Sequence, residues 1–121
     1  MTDTRAYDYC KVFVRHDDPS SVTTRLASIL DATVERHSLL LPGLILDVRR
    51  NSDADGSAGD DFVRWPVIID AESDGADSGS PMSDTVATIL TAFWDAGIPT
   101  VAACDFEDEL PWSGGIRRLD A

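Results

Sequence analysis

The chain has 121 residues, 43% of them hydrophobic, which suits one globular domain able to bury a core without metals or disulfides. Ten basic residues against 22 acidic ones leave a net charge of −12, a balance that repels nucleic acid and anionic lipid and favours basic proteins or cations. The longest apolar run, residues 39–46, contains Pro42 and Gly43 and is far shorter than the about 20 residues of a membrane span.

The start, Met-Thr-Asp-Thr-Arg, leads into no signal-peptide core, so the expected location is the cytoplasm. The charge is unevenly placed. Residues 1–50 carry seven acids and seven bases, whereas residues 51–84 carry nine acids against Arg64 alone. Solubility accounts for such a surface, and so does attraction of a basic partner.

Tyr7 to Arg15 alternates Cys10, Val12 and Val14 with Tyr9, Lys11 and Phe13, which predicts a strand. Asp17-Asp18-Pro19 then supplies a cap and a first-turn proline. Val22, Leu26, Ile29 and Thr33 recur at helical spacing, predicting a helix from about Pro19 to about Ala32. Thr33 to Leu41 reads as one short strand and a turn before Pro42-Gly43. Leu44 to Arg50 reads as a strand with Leu44, Leu46 and Val48 on one face.

Asn51 to Asp61 is a polar loop. Phe62 to Glu72 reads as a strand with Val63, Trp65, Val67, Ile69 and Ala71 on one face, and Pro66 argues for a bulge there or for a variant strand order. Residues 73–80 form a flexible linker. Ser80-Pro81 opens a second helix, with Met82, Val86, Ile89, Leu90 and Phe93 as its stripe and Gly97 beyond its end. Thr100 to Phe106 is a last, buried strand. Residues 1–5 and 113–121 are read as loose termini of a single domain, 1–121.

Strand, helix, strand, strand, helix, strand is the order of an α+β, ferredoxin-like split βαβ fold (βαββαβ). It implies an antiparallel sheet with two helices on one face, plus a possible extra short strand. A doubly wound parallel sheet is the alternative, but no crossover helix separates the two middle strands. The expected topology makes the first and last strands neighbours and brings Cys10 beside Cys104. Both are read as reduced, buried core thiols, because they lack a CxxC spacing and sit mid-strand among apolar residues.

Asn51-Ser-Asp53-Ala-Asp55-Gly56 copies the first half of a calcium loop. The twelfth position, which should be Glu, is Phe62, and strands flank the loop instead of helices. Asn51, Asp53 and Asp55 are therefore weak metal candidates inside a polar hairpin loop, and no metal is expected.

Asp105, Glu107, Asp108 and Glu109 place four carboxylates in five residues after the last strand. Such a cluster reads as a solvated turn, a protein-docking patch, or an acid/base or metal site. Trp112 follows in Pro111-Trp112-Ser113-Gly114-Gly115, either as an aromatic anchor for a partner or as a tail residue folded back onto the domain. No G-x-S-x-G elbow and no P-loop is present, so no catalytic residue and no cofactor are assigned.

The segment from Ala92 through Trp94, Gly97, Cys104 and Glu109 to Pro111, with Val48-Arg49-Arg50-Asn51-x-Asp53-x-Asp55, resembles small acidic bacterial immunity proteins associated with polymorphic toxins. The matching parts cover about a quarter of the chain. The resemblance implies a non-catalytic inhibitor that binds a basic toxin domain, and it transfers no individual site residue. The sequence leaves two other readings open. One is a small-ligand or metal-binding enzyme domain using the acidic turn, and the other is a regulatory adaptor. The expected site is Asp105, Glu107, Asp108, Glu109 and Trp112, facing a basic protein.

Overall fold

The computed structural model describes residues 8–57, 59, 61–73 and 80–119. Strand β1 (Tyr9–Val14) leads into helix α1 (Pro19–Leu30). The Asp18 carboxylate accepts from the Ser20 N–H at 3.0 Å and from the Ser21 hydroxyl at 2.9 Å, satisfying a donor at the helix start while Pro19 presets the first turn. Those hydrogen bonds, Ser21 foremost, hold the Asp18 carboxyl below its ordinary value. Asp31 ends the helix in the left-handed region (φ 50°).

Strands β2 (Thr33–Glu35) and β3 (Ser38–Leu41) follow as a hairpin, and β4 is Leu44–Arg50. The stretch 33–41 thus holds two strands where one strand and a turn were expected. Gly43 (φ 80°) provides the positive backbone angle that turns β3 into β4. Strand β5 (Val67–Ser73), helix α2 (Ser80–Asp95), strand β6 (Thr100–Ala103) and a one-turn helix α3 (Ile116–Leu119) complete the chain. Of the expected linker, Ser73 belongs to β5 and Ser80 to α2. Residues 74–79 and the N-terminal segment 1–5 lie outside the described residues.

The six strands form one antiparallel sheet in the order β2-β3-β4-β5-β1-β6. First and last strands are neighbours, paired Val12 to Ala102 and Val14 to Thr100. Alternation sorts the strand residues onto two faces. Cys10, Val12, Val14, Leu46, Val48, Val67, Ile69 and Ala71 share one buried cluster with Val22 and Leu26 of α1 and Val86, Ile89, Leu90 and Phe93 of α2. On the other face Phe13, Trp65, Ile68 and Val101 form a smaller cluster, with Phe62, Ile116 and Leu119 packed against it. Residues 113–119, expected to be loose, therefore fold back on the sheet, while 120–121 lie outside the described residues.

The expected strand from Phe62 begins only at Val67. Phe62–Arg64 is a 3-10 turn, which leaves Val63 exposed and sends Trp65 to the second face instead of the helix side. Two causes combine. Pro66 has no N–H for a ladder, and the Asn51 carboxamide donates to both the Val63 and the Trp65 carbonyls at 2.8 Å. Asn51 is buried, its N–H donates to the Pro66 carbonyl at 2.7 Å, and its Oδ1 accepts from the Asp53 N–H at 2.9 Å. The buried Trp65 indole N–H donates to the Gly59 carbonyl at 2.8 Å. Replacing Asn51 with Leu strips donors from two carbonyls in this enclosed turn. Urea unfolding of Asn51→Leu should show a loss of roughly 2–6 kcal/mol, at about 1–3 kcal/mol for each of the two orphaned carbonyls.

Candidate functional site

Strand β6 stops at Ala103 because the chain bends at Cys104 and drives Phe106 into the helix-side core. Phe106 and Leu110, four residues apart, are both buried in that core. The 3-10 turn between them, Glu107–Glu109, is held by N–H groups of Glu109 and Leu110 donating to the carbonyls of Phe106 and Glu107 at 2.9 and 3.1 Å. Two apolar anchors flanking a tight turn force the intervening side chains outward. Asp105, Asp108 and Glu109 are exposed and Glu107 is half-buried. The structure thus brings the four expected carboxylates together on one projecting turn.

The chain then enters an unusual backbone. Trp112, Ser113, Gly114 and Gly115 all have positive φ, at 55°, 51°, 80° and 103°. The two glycines are buried against the outer edge of β6. A Cβ on Gly114 would stand 2.6 Å from the Ala102 carbonyl oxygen, and one on Gly115 2.5 Å from that of Thr100. Only residues without a Cβ allow this approach. Trp112 and Ser113 are not glycines, and each left-handed position costs about 1–2 kcal/mol. Trp112 emerges 51% exposed, beside the acidic turn. It does not fold back into the core.

Arg118 of α3 lies over the Trp94 ring, 4.6 Å from its centroid, and 5.9 Å from that of Trp112. The Trp94 indole N–H donates to the Thr100 carbonyl at 2.9 Å, which fixes one side of this arrangement. Trp94, Arg118, Gly97, Pro99, Thr100 and Gly115 also line a surface cavity of about 220 Å³. Sequence reasoning missed the Trp94–Arg118–Trp112 stack, because residues 94 and 118 meet only when the tail packs against α2 and β6.

The calcium-like loop is built for a different purpose. The Asn51 side chain is consumed by the turn before β5, and Asp55 Oδ1 accepts from the Ser57 N–H at 3.0 Å and its hydroxyl at 2.8 Å. Those bonds, the backbone one foremost, lower the Asp55 carboxyl. Asp53 is exposed. Among the described residues, no three His, Cys, Asp or Glu side chains converge to hold a metal ion. Nor is any helix of the described residues long and apolar enough to cross a membrane.

A charged network on the outer face of the sheet also escaped the sequence reading. Asp70 of the central β5 is directly opposite Asp47 on one side and Lys11 on the other. Arg49 Nε donates to Asp70 Oδ2 at 2.6 Å and the Tyr9 hydroxyl to Oδ1 at 2.5 Å, while the Ser38 hydroxyl donates to Asp47. Burial pushes the Asp70 carboxyl up, but the Arg49 and Tyr9 bonds with the charges of Arg49 and Lys11 outweigh it and lower its pKa. Burial, then the Asp70 bond, raise the Tyr9 phenol. The signal was present only as register, since residues 9, 49 and 70 are brought together by strand pairing alone.

Comparison with family models, with curated proteins and with solved structures yields no match to this chain.

The Asp70 shift sets a pH dependence. A lowered folded-state pKa stabilises the native state above the ordinary carboxylate value, about 3.9, and that contribution is lost as the pH falls through and below it. Urea titrations between neutral and acid pH should show stability declining on the acid side. Asp70→Asn should flatten that limb while lowering stability at neutral pH.

Proposed function

We propose that this protein is a non-catalytic acidic binding domain that docks a basic protein on the turn 105–109, with Trp112 as the aromatic anchor. One observation carries the reading. A half-exposed tryptophan is held out by two non-glycine residues in left-handed conformation, next to three exposed carboxylates. Burying the indole would recover hydrophobic free energy, and an ordinary backbone would relieve the local cost. An arrangement that forgoes both gains is what a preorganised contact surface requires.

The resemblance to toxin-associated immunity proteins makes the occupant a basic toxin domain and the mechanism occlusion. Carboxylates would cover cationic groups that otherwise receive phosphates or another anionic substrate. The supporting scaffold is a ferredoxin-like split βαβ unit of β1, α1, β4, β5, α2 and β6, widened at one edge by the β2–β3 hairpin. The strand order β4-β5-β1-β6 and the single cluster shared by α1 and α2 favour that description. Both helices then back the sheet and leave the 105–115 segment at one edge. The cytoplasm is the compartment that suits this role.

Electrostatic attraction acts mainly on encounter, with on-rates up to about 10⁸–10⁹ M⁻¹s⁻¹ at low salt, whereas a buried aromatic acts on release. The test uses surface plasmon resonance with a basic protein encoded beside this gene. Joint substitution Glu107→Lys and Asp108→Lys should slow association roughly tenfold or more at low salt and leave the urea midpoint in place. Trp112→Ala should raise the dissociation rate roughly thirtyfold, equivalent to about 2 kcal/mol. Unaltered kinetics in both variants would remove this surface from consideration.

A further inference from the structure

The β1–β6 ladder pairs Val12 with Ala102 and Lys11 with Ala103. Continued one step past the end of β6, this register would set Cys10 opposite Cys104, at the bend where the strand ends. Directly opposed residues on antiparallel strands have Cα atoms about 4.5–5.5 Å apart, inside the roughly 4.4–6.8 Å that a disulfide spans. Both side chains lie on the same face of the sheet. Cys10 is a member of the helix-side core, and Cys104 packs against that core. Both are free thiols, but they are not equivalent. Cys10 is wholly buried, whereas Cys104 is half-buried at the bend where β6 gives way to the acidic turn. The expectation of two buried, inert thiols therefore fails at Cys104, because the strand ends one residue before it.

We propose that Cys10 and Cys104 form a reversible redox pair, with Cys104 as the attacking thiol, Cys10 as the resolving thiol, and hydrogen peroxide as the oxidant. The Cys104 sulfur attacks a peroxide oxygen, the O–O bond breaks, and hydroxide leaves and takes up the Cys104 thiol proton as water. Cys104 is then a sulfenic acid. The Cys10 sulfur attacks it, an S–S bond forms, the S–O bond breaks, and the departing hydroxide carries off the Cys10 proton as a second water. The two thiols together lose two electrons, and the peroxide gains them. A dithiol reductant reverses the change by thiol–disulfide exchange.

The division of labour follows from the surroundings. Interaction with the Cys104 thiol, followed by burial, raises the Cys10 thiol and keeps it protonated until it is needed. The same interaction between the thiols, helped by the Phe106 N–H and opposed by burial and by the carboxylates of Glu107 and Asp105, lowers the Cys104 thiol. A lowered, partly accessible thiol with a second thiol in contact is the environment of a reactive cysteine with a resolving partner. The pair stands whether or not the acidic turn binds a protein. Its oxidation would nonetheless clamp the residue immediately before Asp105.

The experiment treats the full chain with a stoichiometric amount of hydrogen peroxide, then denatures it, alkylates it and weighs it intact. The expected product is a monomer with no alkylated thiol and two hydrogens fewer, and dithiothreitol restores two alkylatable thiols. Oxidation should also raise the urea midpoint, since the bond closes a long loop in the unfolded chain. Cys10→Ser should stop at a dimedone-trappable sulfenic acid on Cys104, and Cys104→Ser should leave Cys10 unmodified over the same period. The proposal is overturned if the wild-type protein retains two alkylatable thiols. It is equally overturned if Cys104 advances to sulfinic acid beside a free Cys10, or if the only disulfide links two molecules.

Discussion

The sheet's register depends on the enclosed turn in which the Asn51 carboxamide donates to the Val63 and Trp65 carbonyls. Asn51 stands just beyond the end of β4, and its own N–H reaches the Pro66 carbonyl at the threshold of β5. These bonds join the two strands before their ladder begins, so Arg50 pairs with Val67 and every later pair follows. A slip of one residue would turn Val67, Ile69 and Ala71 away from the helices and bring Ile68 and Asp70 inward. Because β5 lies between β4 and β1, the error would spread through both ladders. The loop that looks like half a calcium site is therefore a register device, and its amide outperforms a carboxylate there because it can donate.

Periodicity exposed both long helices and the apolar faces of the strands around β5, because residues buried on one side only must repeat at the spacing of their element. It misled at residues 62–66, where Val63 and Trp65 continue the alternation although the backbone is coiled. Pro66 was the contrary signal, and it marks the approach to a strand instead of a bulge within one. The hairpin 33–41 was obscured because its strands are short and β2 is wholly exposed, leaving no burial pattern to read. Distant contacts were beyond reach for another reason. Arg118 on Trp94 and Arg49 on Asp70 depend on tertiary placement, which neither spacing nor composition encodes.

The acidic turn was legible as composition and illegible as geometry. Four acids in five residues are equally compatible with a convergent cluster and a projecting one. Phe106 and Leu110 decide between them, since both are drawn into the core and the shortest connection points its acids outward. Arg118 brings a positive charge within cation–π distance of the Trp94 and Trp112 rings, the second of them beside the acidic turn. A cationic side chain on a partner would meet the carboxylates first and the face of Trp112 next, where cation–π attraction contributes about 0.5–2 kcal/mol according to desolvation.

Edge chemistry decides what kind of contact such a partner can make. A β6 edge left open would invite strand addition, which recognises backbone more than side chains. Here Gly114 and Gly115 press against the Ala102 and Thr100 carbonyls, and the Trp94 indole takes the Thr100 oxygen as well. The same close approach that blocks the edge imposes the left-handed backbone from which Trp112 projects. Protection of the edge and exposure of Trp112 are thus one structural act, and under the proposed function recognition at this end of the sheet would pass to side chains. That favours a partner read by charge and aromatic contact, and it makes the glycine pair as necessary to the surface as the acids it presents.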